Sequence, residues 1–243
     1  MLQPHDTASQ DPILTEPRLT PLDRLAGSLG QRVYLTLRHA ILSLAYRPGE
    51  ILRKPEICAE LGVSRSPVSD AVARLAAEGL VDVIPQAGTY VARFSMEEIR
   101  EGAFLREAIE VAAIELVART ITDEQLVILR RNLVVQAALL ADNDFAGFYK
   151  LDGEMHELLL SFTGYRKLAA VSDTAWAHVN RARQLVLPVP GRVAATLAEH
   201  RAILSALEAR DPDAARSAIR SHLRQLVTYL EPLERSHPDL FNP

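Results

Sequence analysis

The chain has 243 residues, of which 48% are hydrophobic and 24% charged, and its formal net charge is −4. Such a chain is long enough for two modest domains, and no apolar run approaches the roughly 20 residues of a membrane span. The single cysteine, Cys58, excludes an intrachain disulfide, the negative charge excludes a polybasic nucleic-acid binder, and the composition suits the cytosol.

Residues 1–27 carry Pro4, Pro12, Pro17 and Pro21 among scattered acids, with no apolar h-region, and are expected to form a disordered leader rather than a signal peptide. Residues 28–45 read as a helix with Val33, Leu37, Ala40, Ile41 and Leu44 on one side, followed by a turn at Arg47-Pro48-Gly49-Glu50. The most informative stretch is residues 53–93, RKPEICAELGVSRSPVSDAVARLAAEGLVDVIPQAGTYVAR. Pro55 suits a first helical turn, Ile57, Cys58 and Leu61 form an apolar face, and Gly62 can take the left-handed conformation that ends the helix. Ser64 is then an N-cap, and Val68, Ala71, Val72 and Leu75 repeat at helical spacing while Ser66, Ser69, Asp70, Ala73 and Arg74 face outward. Gly79 ends this second helix. Val81 and Val83 alternate around Asp82, and Gln86-Ala87-Gly88 turns the chain into Thr89-Tyr90-Val91.

Together residues 28–94 predict a winged helix-turn-helix, whose second helix fits a DNA major groove with the ribbon beside it. The bland alternative is any small helical pair followed by a hairpin. The segment holds eight Arg/Lys against six Asp/Glu, so placement rather than bulk charge must position DNA. Arg38, Arg47, Arg53, Lys54, Arg65 and Arg74 are the candidate cations, Ser64, Ser66 and Ser69 lie at or near the start of the second helix, and Gly88 is placed at the wing tip. For most of these cations the alternative is a solvated charged face.

Phe94-Ser95 reads as a short linker to residues 95–231, which are helical throughout. Six helices are expected at 96–119, 122–141, 144–161, 165–187, 192–209 and 212–231, with capping-box patterns at Ser95/Glu98 and Thr122/Gln125. Short links make an antiparallel bundle. Pro232 is expected to end the last helix and leave residues 232–243 as a loose tail. The predicted fold class is mostly α: a winged helix-turn-helix followed by an all-α bundle of about six helices.

Within the bundle, Asp152 and His156 are four residues apart and project from one helix face. His200 and His222 sit among apolar neighbours on the fifth and sixth bundle helices. Three imidazoles and a carboxylate can hold a divalent transition metal. Asp-x-x-x-His also arises by chance, and a lone helical histidine is more often a core or surface residue than a ligand. Arg106 precedes Glu110 by one helical turn, so it is either an ordinary ion pair or a guanidinium facing a ligand carboxylate. Asn180, Arg181 and Arg183 are further effector-binding candidates. His178 lines a pocket or its surface, and Trp176 is core or interface.

LGVSRSPVSDAVARLAAEGLV, the Gly-tipped wing, FLREAIE, LDGEMH and the single histidines His200 and His222 resemble the GntR family of bacterial transcription regulators, in its FadR/FCD branch, over about residues 28–231. The resemblance implies a cytoplasmic one-component regulator, most often a repressor and not an enzyme. It implies a homodimer on operator DNA with a short inverted repeat, and a C-terminal domain that binds a small organic acid. It also implies metal at Asp152, His156, His200 and His222, with zinc or nickel first and manganese a further candidate, and it favours the ligand-facing reading of Arg106. The chain departs from the family at Ser69, where Arg is usual, at Asp70, where Glu is usual, and at Pro55, where Arg is frequent. These differences bear on the operator sequence, because Arg-to-guanine contacts are strong base readers. Two other classes stay open: a metalloenzyme acting on a small carboxylate, and a metal-free helical interaction protein.

Overall fold

A computed structural model describes residues 18–168 and 176–242. The part of the expected leader before residue 18 and the part of the expected fourth bundle helix at 169–175 lie outside the described residues.

Helix α1 (Leu29–Leu42) starts at Ser28, whose side chain accepts from the Gln31 amide. It stops at Leu42 rather than residue 45, because Leu44 takes a left-handed conformation at φ 62°. Helices α2 (Lys54–Leu61) and α3 (Arg65–Ala77) flank Gly62, whose φ of 64° makes the turn between them. Ser64 occupies the N-cap position of α3, although its side chain makes no capping hydrogen bond. Strands β1 (Val81–Ile84) and β2 (Gly88–Val91) pair antiparallel, with Val81 opposite Val91 and Ile84 opposite Gly88. Gly88 therefore closes the wing turn as the first residue of β2, and the tip is Pro85-Gln86-Ala87. Backbone bonds from Leu52 to Thr89 and from Val91 to Glu50 add residues 50–52 to the ribbon's free edge. Val33, Leu37, Ile41, Ile57, Val68, Val72, Leu75 and Val91 pack into one core, while Cys58 is only half-buried against it.

The packed chain begins earlier than the expected leader boundary. Leu19 is buried in this core, the Thr36 hydroxyl donates to the Thr20 carbonyl, and Arg18 pairs with Glu50 at 2.6 Å. Residues 18–27 are held because Leu19 has apolar surface to bury against α1.

Among the described residues the C-terminal part contains α4 (Met96–Thr120), α5 (Asp123–Ala141), α6 (Phe145–Ser161), α7 (Ala177–Val186), which starts after Trp176 rather than running from residue 165, α8 (Arg192–Glu208) and α9 (Pro212–Ser236). The Thr122/Gln125 capping box is complete. At Ser95 the side chain caps the Glu98 amide, but the Glu98 carboxylate turns toward His178 instead of returning to Ser95. Val117, Leu129, Met155, Ile203, Leu207 and Ile219 make the central core of the bundle.

Two expectations about the C-terminus are corrected. Helix α9 runs through Pro232 to Ser236. Proline removes one backbone donor there, while Leu230 and Leu233 on either side remain packed with Phe94, Ile99 and Val179. The tail is docked rather than loose. Phe241 is buried against the Phe94 ring at 5.5 Å between centroids, and Phe94 exchanges backbone hydrogen bonds with Leu240 and Asn242. The apolar Phe241 supplies the burial that holds this segment, so the Phe94-Ser95 link is itself packed.

Candidate nucleic-acid interface and metal centre

Ser64, Arg65, Ser66 and Ser69 are exposed along the first turns of α3, and Arg53 is exposed just before α2 with Lys54 half-buried beside it. Arg38 does not join this surface. Its Nε lies 3.2 Å from Glu78 at the far end of α3, and Glu78 also accepts a 2.5 Å hydrogen bond from Tyr34. Burial and this bond push the Tyr34 pKa up to about 12. Arg74 stacks on the Tyr34 ring at 3.6 Å and donates to Gln31. Arg38 and Arg74 thus tie α1 to α3 through a carboxylate and an aromatic face.

In the bundle, α6 presents Asp152 and His156, α8 presents His200 and α9 presents His222. Their candidate ligand atoms all lie within 4.8 Å of one another, and all four residues are buried. Each imidazole is oriented from behind through Nδ1. His156 is held by Glu110 of α4 at 2.6 Å, His200 by Gln136 of α5 at 2.8 Å, and His222 by Glu199 of α8 at 2.7 Å. Gln136 is itself oriented by its amide, which donates to Asn132 at 2.7 Å. With an acceptor oxygen at every Nδ1, the proton sits there and the Nε2 lone pairs turn to a shared centre.

Burial lowers the pKa of all three histidines, well below the ordinary value for His200 and His222, so the neutral ligand form is favoured. Burial acts to raise Glu199, but Arg192 and His222 outweigh it and bring it to about 2. Glu110 is likewise held well below the carboxylate range by Arg106 and His156, against the opposing effect of burial.

A divalent cation fits these residues on three counts. The Nε2 atoms of His156 and His222 face each other at 3.1 Å, a repulsive arrangement for two lone pairs unless a cation or proton lies between them. Asp152 Oδ1 and His200 Nε2 are buried 3.1 Å apart without a hydrogen-bond partner, while Arg183 rests against Oδ2. Metal–ligand bonds of about 2.1 Å separate neighbouring donor atoms by about 3–4 Å, the scale of this cluster.

Beside the cluster is a cavity with polar walls from Arg106, Asp152, Arg183, Arg192, Thr196 and His222. Val186, Leu187, Leu223 and Leu226 form its apolar side. Arg106 combines the two readings offered for it: it lines the cavity and bonds Glu110 at 2.6 Å. Arg183 also reaches the cavity. Arg181 does not. It is fully buried on another face of α7, with its guanidinium 4.5 Å over the Phe94 ring, because that face packs on the interdomain cluster. Asn180 lies behind Arg183, accepting from it at 3.4 Å, and does not line the cavity. His178 is likewise outside the cavity, with Nε2 3.0 Å from the Glu78 carbonyl at the end of α3. Sequence reasoning missed Arg192, Glu199 and Gln136. Gln136 and Asn132 carried a signal, as amides on the same α5 face as Leu129 and Leu133.

The gntR family model of bacterial regulatory proteins matches residues 29–91, and the FCD domain model matches residues 101–225. An HTH-type transcriptional regulator in an unstable DNA locus of Streptomyces ambofaciens is 35% identical over 86% of this chain and 88% of its own. The HTH-type transcriptional repressor RspR of Escherichia coli K12 is 31% identical over 88% of this chain and 94% of its own. A solved structure of a putative GntR transcriptional regulator from Rhodococcus sp. RHA1 aligns with a TM-score of 0.70 at 25% identity, covering 82% of this chain and 95% of that one. On these matches the chain belongs to the GntR family of bacterial transcriptional regulators, its winged helix-turn-helix joined to an FCD domain.

Proposed function

We propose that this regulator senses a small organic acid at a metal held by Asp152, His156, His200 and His222, and that acid binding alters its hold on operator DNA. One observation carries the reading: three imidazoles from three helices are each anchored at Nδ1 and turned through Nε2 toward one buried carboxylate. Zinc or nickel suits this nitrogen-rich donor set best, with manganese a further candidate. When bound, the metal supplies Lewis-acid attraction for a ligand carboxylate, and Arg106 and Arg183 line the side from which the acid enters. Repression is the sense favoured by the similarity to RspR, which is named a repressor.

On the DNA side, Arg65, Ser66 and Ser69 read the major groove, Arg53 and Lys54 contact the backbone, and the tip at Pro85–Ala87 lies beside the duplex. Two copies bind a short inverted repeat. They pair through the first bundle helix, where Phe104 is 71% exposed and Leu105 40%.

Helix α7 supports a route between the two functions. Arg183 faces the cavity, while His178 bonds the end of recognition helix α3 and approaches Glu98 at 3.5 Å. An acid that binds one α7 position better than another changes operator affinity by that difference and no more. An enzymatic reading has less support, since four protein ligands leave a metal less suited to activating water than three, and the family is one of regulators. The test is operator-binding anisotropy of the zinc-loaded protein with and without carboxylic acids. The expected result is an acid-dependent shift in affinity that disappears after chelation; no shift with any acid refutes acid sensing.

A further inference from the structure

Three arginines line the cavity, and each is matched to one carboxylate. Arg106 pairs with Glu110 at 2.6 Å, Arg192 with Glu199 at 2.6 and 2.8 Å, and Arg183 with Asp152. With neutral histidines the set is balanced. Two of the pairs are committed elsewhere, because Glu110 holds His156 and Glu199 holds His222. Withdrawing Arg106 or Arg192 for a ligand would loosen an imidazole. Arg183 differs: its counter-ion is the proposed metal ligand itself.

A divalent ion coordinated by Asp152 adds two positive charges to a balanced set, and the single negative charge of Asp152 is then shared between the ion on the Oδ1 side and Arg183 on the Oδ2 side. The Arg183 side chain is only 12% exposed, so water screens its charge poorly. A buried guanidinium that shares its one counter-ion with a metal is under-compensated, and the cheapest remedy is an anion in the adjoining cavity. A monocarboxylate on the metal cancels one charge and leaves the other. The remaining walls narrow the chemistry further. Val186, Leu187, Leu223 and Leu226 offer no polar partner, and the one hydroxyl lining the cavity, on Thr196, already donates to the Arg192 carbonyl. A polyhydroxylated acid would bury several hydroxyls against these apolar walls, with too few partners for all of them.

We infer that the effector is a short aliphatic dicarboxylate, with one carboxylate directed to the metal and the second held by Arg183, which is the specificity-determining residue. The inference rests on the metal-and-acid reading above and adds the charge and character of the ligand.

The experiment uses the full chain loaded with zinc, its metal content measured before any acid is added and again after dialysis, so that chelation is not mistaken for binding. Calorimetric titrations at neutral pH compare malonate with propionate and succinate with butyrate, and include gluconate as a polyhydroxy monoacid. Each dicarboxylate is expected to bind more tightly than its chain-matched monoacid by about tenfold or more, with gluconate at or below the monoacids. Arg183→Gln is expected to keep the metal and bring malonate and propionate within about threefold of each other. Arg183→Lys, which keeps a charge but loses the planar fork, should restore part of the preference and guards against a folding defect in the first variant. Equal binding of propionate and malonate by the wild type overturns the inference, as does tighter binding of gluconate or a preference that survives in both variants. A chain that takes no stoichiometric zinc refutes the metal reading, and a zinc-loaded chain that takes none of the acids refutes acid sensing; either result removes this inference along with its premise.

Discussion

At the start of α3, Ser64, Arg65, Ser66 and Ser69 stand exposed, whereas in the bundle Asp152, His156, His200 and His222 are buried and each histidine is braced from behind. The first surface is free to be ordered by a duplex, so a substitution there removes a contact and little else. The second is preorganised, so a substitution disturbs metal, charge balance and packing together. Helix α7 touches both regions, with Arg183 toward the cavity and His178 at the end of α3. Exposed and buried polar groups should therefore fail in different ways, and that contrast can be probed.

The largest effect should come from the braces. Glu199→Gln keeps the shape but weakens the acceptor behind His222, and Glu110→Gln does the same behind His156. Either is expected to reduce metal affinity by about 10–100-fold while leaving operator binding without acid nearly intact. Competition against a chelating dye measures this, and unchanged affinity in both variants would remove the braces from the metal account. Next in size is Arg65→Ala, expected to weaken specific operator binding by about 1–3 kcal/mol with no change in metal content or melting temperature. Unchanged affinity and unchanged base preference would take Arg65 out of the reading set.

The pH dependence separates the regions further. The three buried histidines have folded pKa values below the 6.5 of the free group, so the unfolded chain binds protons first as pH falls. In the metal-free protein, stability is then fully present above pH 6.5 and is lost as pH drops below it toward the folded values. The slope is at most about 1.4 kcal/mol per histidine per pH unit. Glu199, lowered to about 2, adds a further loss below its ordinary value of 4.5. Thermal melts in chelator should show a plateau above pH 7 and a decline from 6.5 downward. A flat profile from pH 7.5 to 5.5 would mean that the histidines are not held neutral. The smallest effect belongs to His178→Ala, which removes one hydrogen bond between α7 and α3, worth about 1 kcal/mol. Operator affinity without acid should hardly move, while the acid response shrinks by a few-fold at most; a full response would place the coupling elsewhere.

Most of the winged domain was legible because its signals are local. Gly62 ends α2 and the α3 face of Val68, Ala71, Val72 and Leu75 is buried, as their spacing predicts. The structure brings together the four bundle residues that the sequence singled out, though only the family resemblance lifted them above chance spacing. What escaped depends on neighbours distant in the chain. Nothing local to Arg38 signals its ion pair with Glu78, 40 residues away. Arg181 and Arg183 are near-equivalent by composition, and only the packing of α7 sends one to Phe94 and the other to the cavity. Pro232 and the tail were misjudged because a local helix-breaking rule takes no account of what Leu230, Leu233 and Phe241 gain by burial.

Metal content tests the central claim most directly. Wild-type protein purified without chelator is expected to carry one equivalent of zinc, nickel or manganese per chain. His200→Ala is expected to lose it while remaining folded on its apolar core. A wild type without stoichiometric metal, or a His200→Ala variant at full occupancy, would contradict the account.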